Sequence, residues 1–248
     1  MKALVTGASS GIGREIAIIL DDMGYDIIAV ARREDRLKEL ANILKNKTEI
    51  YSADISDEEE CIKLTKRFSD IDILVNNAGF GVFGEFFKTP LEEELSMINV
   101  NIRALHILTK LYLKQFVEKD SGYILNVASS AAFFPGPLFS SYYASKAYVY
   151  RLTRAINREL RKNKSNVFVS VLCPGPVDTE FSDVAGVKFG IGAITAKKTA
   201  LYAIKKMFSK KLVIVPGFTI KLTRILSKII PDSISEKIVY KIQKSKEK

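Results

Sequence analysis

The chain contains no tryptophan, a single histidine and only two cysteines in 248 residues, and each shortage removes a class of chemistry. Cys61 and Cys173 follow no paired spacing, so they frame no disulfide scaffold and point to a reducing compartment. With His106 alone there is no cysteine–histidine cluster for a metal. A serine nucleophile would have no evident base, and a Gly-x-Ser-x-Gly elbow is absent as well. His106 falls on an apolar helical pattern and reads as a packing or interface residue. No uninterrupted apolar run approaches the roughly 18 residues of a membrane span, and the run at Met1–Gly7 is too short for a signal peptide. Asn46-Lys47-Thr48 matches a glycosylation sequon, which carries no weight without an export signal. The expectation is a cytoplasmic protein without a metal.

The net charge is +10, but it is unevenly spread: residues 187–248 carry 15 basic and 3 acidic side chains, and the other 186 residues carry 23 and 25. The basicity belongs to the tail, so a nucleic-acid footprint across the domain is not supported. Hydrophobic residues make up 47% of the chain and charged ones 27%, enough core and surface for one α/β domain of this length.

Lys2–Thr6 reads as a short strand running into Gly7-Ala8-Ser9-Ser10-Gly11-Ile12-Gly13, with a helix following through Leu20. In that setting a glycine turn lets backbone N–H groups and a helix N-terminus approach a pyrophosphate; a plain turn at a strand end is the alternative. A second strand, Asp26–Ala31, is followed by Arg32-Arg33, where an NAD binder usually places an acidic residue. Arginine can pair with a 2′-phosphate that a carboxylate would repel, so NADP(H) is favoured over a basic helix start. A helix is expected from about Glu34 to Leu44, with Leu37, Leu40, Ile43 and Leu44 apolar, then a third strand over Glu49–Ala53. At its end Asp54 either meets the adenine or, with Ser56, caps the next helix.

The fourth strand, Ile71–Val75, closes in Asn76-Asn77-Ala78-Gly79, and a long helix is expected over Leu91–Phe116. Asn101 falls among that helix's apolar positions, where an amide costs stability and needs partners. Strands at Tyr123–Val127, Val167–Leu172 and Val213–Val215 complete seven, all alternating with helices. This predicts an α/β, Rossmann-type, doubly wound parallel sheet with helices on both faces, in a single domain. Residues 1–217 form its dinucleotide-binding and catalytic body and 218–248 a basic amphipathic extension.

Ser140-Ser141-Tyr142-Tyr143-Ala144-Ser145-Lys146 opens the helix after the fifth strand. Tyr142 and Lys146 are one helical turn apart and face the same way, so the ammonium can lower a phenol pKa that is ordinarily about 10 toward working range. Ser129 stands 13 residues before Tyr142.

Thr6–Gly13, Asn76–Gly79, Ser129, Tyr142-x-x-x-Lys146 and Pro174-Gly175 together resemble the short-chain dehydrogenase/reductase family, in its order and nearly its spacing over Lys2–Thr179. The resemblance implies that Tyr142 is the general acid/base, that Lys146 tunes it and holds the nicotinamide ribose, and that Ser129 binds the substrate oxygen. It implies that Asn101 keeps a water beside Lys146. For the cofactor it implies Thr6, Gly7, Ser9, Ser10, Gly11, Ile12 and Gly13 at the phosphates. It adds Arg32 and Arg33 at the 2′-phosphate, Asp54 and Ile55 at adenine, Asn77, Ala78 and Gly79 near the ribose, and Pro174, Gly175, Val177 and Thr179 at the nicotinamide end. A homodimer or homotetramer through the long helices is implied too.

The substrate segments supply Phe133, Phe134, Leu138, Tyr143 and Phe181, with Val184, Val187 and Phe189, an apolar set that predicts a hydrophobic carbonyl or alcohol. The expected activity is therefore NADP(H)-dependent interconversion of carbonyl and alcohol. The alternatives are a non-catalytic NADP-binding regulatory or scaffold protein and a membrane-peripheral reductase of lipid-derived carbonyls. The tail alternates Phe218, Ile220, Leu222, Ile225, Leu226, Ile229 and Ile230 with lysines. Packing on the domain or on a partner subunit is the favoured reading, and peripheral membrane contact the other.

Overall fold

The computed structural model describes residues 1–186 and 193–245. In chain order the elements are β1 (Lys2–Thr6), α1 (Gly11–Asp22), β2 (Asp26–Ala31), α2 (Glu34–Ala41), β3 (Thr48–Ser52), α3 (Glu58–Arg67) and β4 (Ile73–Asn76). They continue with α4 (Leu91–Ile98), a π-helical turn (Asn99–Ala104), α5 (Leu105–Glu118), β5 (Tyr123–Val127), a short 3-10 turn (Ser130–Phe133) and α6 (Ser140–Lys162). The last part comprises β6 (Phe168–Leu172), β7 (Val177–Asp178), α7 (Phe181–Val184), β8 (Ile194–Thr195), α8 (Ala196–Phe208), β9 (Val213–Ile214), α9 (Phe218–Leu226) and α10 (Asp232–Lys244).

Seven strands form one parallel sheet in the order β3-β2-β1-β4-β5-β6-β9. The chain starts at the centre, winds outward through β2 and β3, then returns beside β1 and winds the other way. The reversal between β1 and β4 leaves a crevice at the strands' C-terminal ends, where ligands bind in doubly wound sheets. Helices cover both faces: Ile16, Ala17, Leu20, Leu37, Ala200 and Ile204 from α1, α2 and α8 fill one side, and Leu64, Leu108, Tyr112 and Leu160 from α3, α5 and α6 the other. The central strands are buried on both faces, which explains their unbroken apolar runs.

Polar pins tie the layers beneath the crevice. Asn76 and Asn126 are register partners on β4 and β5, and the Asn76 amide donates to Asn126 Oδ1 (2.9 Å) and Thr109 (2.9 Å). Asn126 in turn donates to Thr153 of α6 at 3.0 Å. All four are buried, so each bond made replaces a desolvation cost of about 1–3 kcal/mol.

Three expected elements differ. The second helix ends at Ala41 rather than Leu44, because the Asp21 carboxylate accepts the backbone N–H groups of Lys45 and Asn46, both at 2.9 Å, and pulls the chain away from the helical path. Ile43 is left exposed. The single helix over Leu91–Phe116 is two α-helices joined by the π-helical turn, and Asn101 lies in that turn. The seventh strand of the sheet is two residues, β9. Val187 and Phe189 lie outside the described residues.

Candidate active site

A cavity of about 540 Å³ runs along the strand ends, from Arg32, Arg33, Asp54 and Ile55, over the glycine turn, to Ser129, Tyr142 and Lys146. The turn is shaped by sterics. Gly7 has φ +66°, and a Cβ on Gly13 would lie 2.4 Å from the Gly7 carbonyl oxygen and 2.3 Å from the Asn77 amide nitrogen. The first turn of α1 therefore rises directly out of the strand. Its N-cap, Ser10, makes no side-chain capping bond, so the N–H groups at the helix start remain available to an anion. These features fit a pyrophosphate.

Thr6 does not line the cavity. It lies behind it, its hydroxyl donating to Val75 O (3.3 Å) and accepting from Asn77 N (3.0 Å) and Ala78 N (3.1 Å). Asn77 also donates to the carbonyls of Thr6 (3.1 Å) and Gly7 (3.2 Å), so β1, β4 and the glycine turn are locked together. Gly13 is likewise structural. Gly7, Ser9, Ser10, Gly11, Ile12, Asn77, Ala78, Gly79, Pro174, Gly175, Val177 and Thr179 all reach the cavity wall.

At the far end of the glycine turn the two arginines meet carboxylates. Arg33 reaches the hydroxyls of Ser9 (3.2 Å) and Ser10 (3.0 Å) and pairs with Glu180 at 2.8 Å, while Arg32 stands 3.9 Å from Asp54. The Arg33 hydrogen bond holds the Glu180 carboxyl below its ordinary range. Asp54 accepts from Ser56 N at 2.9 Å, but neither residue caps the next helix. Asp57 does, accepting from Glu59 N at 2.9 Å, which leaves Asp54 facing the cavity.

At the other end, β5 and α6 bring Ser129, Tyr142 and Lys146 together. Ser129 follows the end of β5 and caps the 3-10 turn by accepting from Ala131 N at 3.1 Å, and it also hydrogen-bonds the Tyr142 phenol. Tyr142 occupies the first turn of α6 and Lys146 the second. Lys146 Nζ lies 5.7 Å from the Tyr142 ring centroid and donates to Val127 O at 3.1 Å. Gly79 is wedged beside it: a Cβ there would meet Asn101 Oδ1 at 2.7 Å and Lys146 Nζ at 3.2 Å. Asn101 itself is behind the wall, where it accepts from Phe80 N (3.2 Å) and donates to Phe80 O (2.9 Å) and Ser145 Oγ (3.1 Å). The π-helical turn aims this amide at the loop after β4, which accounts for an asparagine in an apolar pattern.

The electrostatics depart from the expectation drawn from the Tyr–Lys spacing. Burial pushes the Tyr142 phenol above its ordinary value, with the Ser129 hydrogen bond opposing it. Burial also lowers Lys146 to about 8. At that value Lys146 is still mostly protonated at pH 7, but burial outweighs any lowering of the phenol by its charge. Both thiols are buried and pushed up to about 12, so neither Cys61 nor Cys173 is a nucleophile at neutral pH.

Of the expected substrate residues, Tyr143, Phe181 and Val184 line the cavity. Phe133 does not: it packs edge-on against Tyr150, 5.5 Å between centroids, in a separate cluster beneath β6 and β9. Phe134 is absent from the wall, and Leu138 faces a second hollow with Val82 and Tyr240. The 3-10 turn after Ser129 rotates this segment away from the crevice. Phe139 takes their place, stacked on Tyr142 with centroids 4.5 Å apart, together with Phe80. Gln243 of α10 also lines the cavity and donates to the Tyr143 hydroxyl. Nothing local in the sequence could have found Gln243, which stands 100 residues beyond Tyr143. Glu180 had a signal in its position beside Thr179.

Residues 1–188 match the family model for short chain dehydrogenases. The chain belongs to the short-chain dehydrogenase/reductase family of oxidoreductases. It is 36% identical over 193 residues to an uncharacterized oxidoreductase of Staphylococcus epidermidis, covering 76% of this chain and 82% of that one. It is 32% identical over 181 residues to a 3-oxoacyl-(acyl-carrier-protein) reductase of Rickettsia prowazekii, covering 73% of this chain and 74% of the relative. Among solved structures it resembles a short-chain dehydrogenase from Sphingobium yanoikuyae in complex with NADPH, with a TM-score of 0.82, 29% identity and 88% of each chain covered. Among the described residues no helix is long and apolar enough to cross a membrane, and no cluster of His, Cys, Asp and Glu could hold a metal ion.

Proposed function

We propose that this family member is an NADP(H)-dependent oxidoreductase that interconverts a carbonyl and an alcohol on a hydrophobic substrate. The observation that carries the reading is one continuous cavity with a phosphate-fitting glycine turn and two arginines at one end and Ser129, Tyr142 and Lys146 at the other. The N–H groups at the start of α1 would hold the pyrophosphate, Arg32 and Arg33 a 2′-phosphate, and Lys146 the ribose next to the nicotinamide. Bound there, the cofactor supplies or accepts a hydride. The bound cofactor in the Sphingobium relative supports the assignment of this cleft.

In the reducing direction Tyr142 gives its proton to the carbonyl oxygen, and its raised pKa keeps that proton in place until it is needed. Ser129 donates to the same oxygen, since the Ala131 N–H already occupies an acceptor site on its hydroxyl. Charge developing on the phenolate is met by Lys146 and by the N-terminal end of α6. Asn101 acts as a positioning residue, holding Phe80 and Ser145 against the Lys146 side of the site. Phe80, Phe139, Phe181 and Val184 favour an apolar substrate. Assembly as a homodimer or homotetramer goes with this reading.

The deciding experiment follows NADPH and NADH oxidation with aromatic, aliphatic and lipid-like ketones and aldehydes. Turnover with NADPH preferred is the expected result. Tight NADPH binding without turnover on the whole panel would favour a binding-only protein.

A further inference from the structure

The two C-terminal helices are turned inside out. In α9, Ile220, Thr223 and Arg224 face the domain: Ile220 joins the cluster beneath β9, and Arg224 reaches the Tyr150 hydroxyl at 3.4 Å. Phe218, Leu222, Ile225 and Leu226 point outward, and no residue of α9 is fully buried. In α10 the buried residues are Ser235, Val239 and Gln243, while Ile234, Ile238 and Ile242, spaced one turn apart, are about half exposed. Phe218 is 81% exposed and Ile229, just past α9, 74%. Among the described residues, nine of the nineteen exposed large apolar side chains fall between Phe218 and Ile242. Single exposed apolar residues need no explanation, but a concentration of this kind marks a surface that another phase or partner covers.

The charges on the same segment choose the occupant. Lys221, Lys228, Lys237, Lys241 and Lys244 interleave with the apolar rows, against Asp232 and Glu236 alone between Phe218 and Ser245. Two copies packed through this face would set lysine against lysine, whereas an anionic bilayer surface satisfies both the apolar side chains and the cations. We propose that α9 and α10 dock this protein on an anionic lipid surface, with Phe218, Ile225 and Ile229 entering the acyl boundary and the lysines resting on headgroups. The helices also border the cavity. Ile220 packs on Gly175, and Gln243 lines the wall beside Tyr143, so docking brings the cavity close to the lipid. The inference concerns binding, and it holds whatever reaction the cavity performs.

The test sediments the full chain with vesicles of phosphatidylcholine containing about 30% phosphatidylglycerol, and with phosphatidylcholine alone, at about 0.05 and 0.5 M salt. The expected result is binding to the anionic vesicles at low salt, weaker by at least about tenfold on the neutral ones and at high salt. The combined variant Phe218→Ser/Ile225→Ser/Ile229→Ser, altered only at exposed positions, should keep the circular dichroism of the parent and lose at least about tenfold in partitioning. Because the chain has no tryptophan, Phe218→Trp adds a single reporter whose emission should shift to the blue on anionic vesicles. No sedimentation with anionic vesicles overturns the proposal, as does sedimentation that the serine variant retains or that leaves the emission of the Phe218→Trp reporter unmoved. If the chain ignores vesicles and the serine variant splits an oligomer in light scattering, the occupant is a second copy.

Discussion

The Tyr142 end of the cavity and the C-terminal helices solve burial in opposite ways. Around Tyr142 the protein buries polar groups and gives them partners: Lys146 to Val127 O, Asn101 to Phe80 and Ser145, Asn126 to Thr153. Around α9 it leaves apolar groups in water and turns Thr223 and Arg224 inward. Both arrangements cost folding free energy. A polar group kept under cover marks a place where electrostatics are used, and an apolar one kept outside marks a place where something else completes the surface. The contrast teaches that the two ends were shaped for different partners, one a small molecule and one an extended surface.

The comparison is broken most sharply at Tyr142. Tyr142→Phe should lower turnover by about 10³-fold while leaving NADPH binding within about twofold, checked by steady-state kinetics beside a cofactor titration. Turnover that survives would move the acid elsewhere.

Lys146 comes next, because its burial links catalysis to stability. Its pKa falls from the ordinary 10.5 to about 8 in the fold, so below pH 8 the native state carries a charge it holds poorly. As pH rises from about 8 to 10.5 the native chain sheds this proton before the unfolded chain does, and that penalty disappears. Lys146→Met should therefore abolish most turnover yet raise unfolding free energy at pH 7 by about 1–3 kcal/mol, a gain that shrinks toward pH 10.5, as denaturant titrations at several pH values would reveal. For the parent enzyme, kcat/KM for reduction should fall as pH climbs through about 8. A flat profile to pH 10 would mean that the lysine's charge is not used.

A smaller effect is expected at the arginines. Arg32→Ala should raise KM for NADPH by about tenfold and for NADH by less than about twofold, a loss of about 1.4 kcal/mol at the 2′-phosphate alone. Equal weakening would dismiss that assignment. Smallest of all, the triple serine variant at Phe218, Ile225 and Ile229 should change turnover of a water-soluble ketone by less than about twofold and stability by no more than about 0.5 kcal/mol per site. A large loss in either would show that these side chains serve the domain rather than its surroundings.

Much of this was legible in the chain because it is local. Strands buried on both faces read as apolar runs, the glycine turn sits between strand and helix, and Tyr142 and Lys146 are one turn apart whatever surrounds them. The departures arise where distant segments compete. Asp21 ends α2 early by capturing Lys45 and Asn46, and the 3-10 turn after Ser129 carries Phe133 away while Phe139 stacks on Tyr142. The spacing of Tyr142 and Lys146 fixed their geometry but not their pKa values, since desolvation depends on everything packed around the pair.

The sequence by itself determined the doubly wound sheet, the place of the crevice at its strand ends and the residue types on either side of it, because periodicity and glycine sterics act over a few residues. Only the tertiary structure decided which of those residues touch the cavity, that Gln243 reaches it from the far end of the chain, and which face of α9 and α10 meets water. Those outcomes rest on contacts among segments many residues apart, and an amphipathic pattern states that a helix has two faces without saying which one the domain will keep.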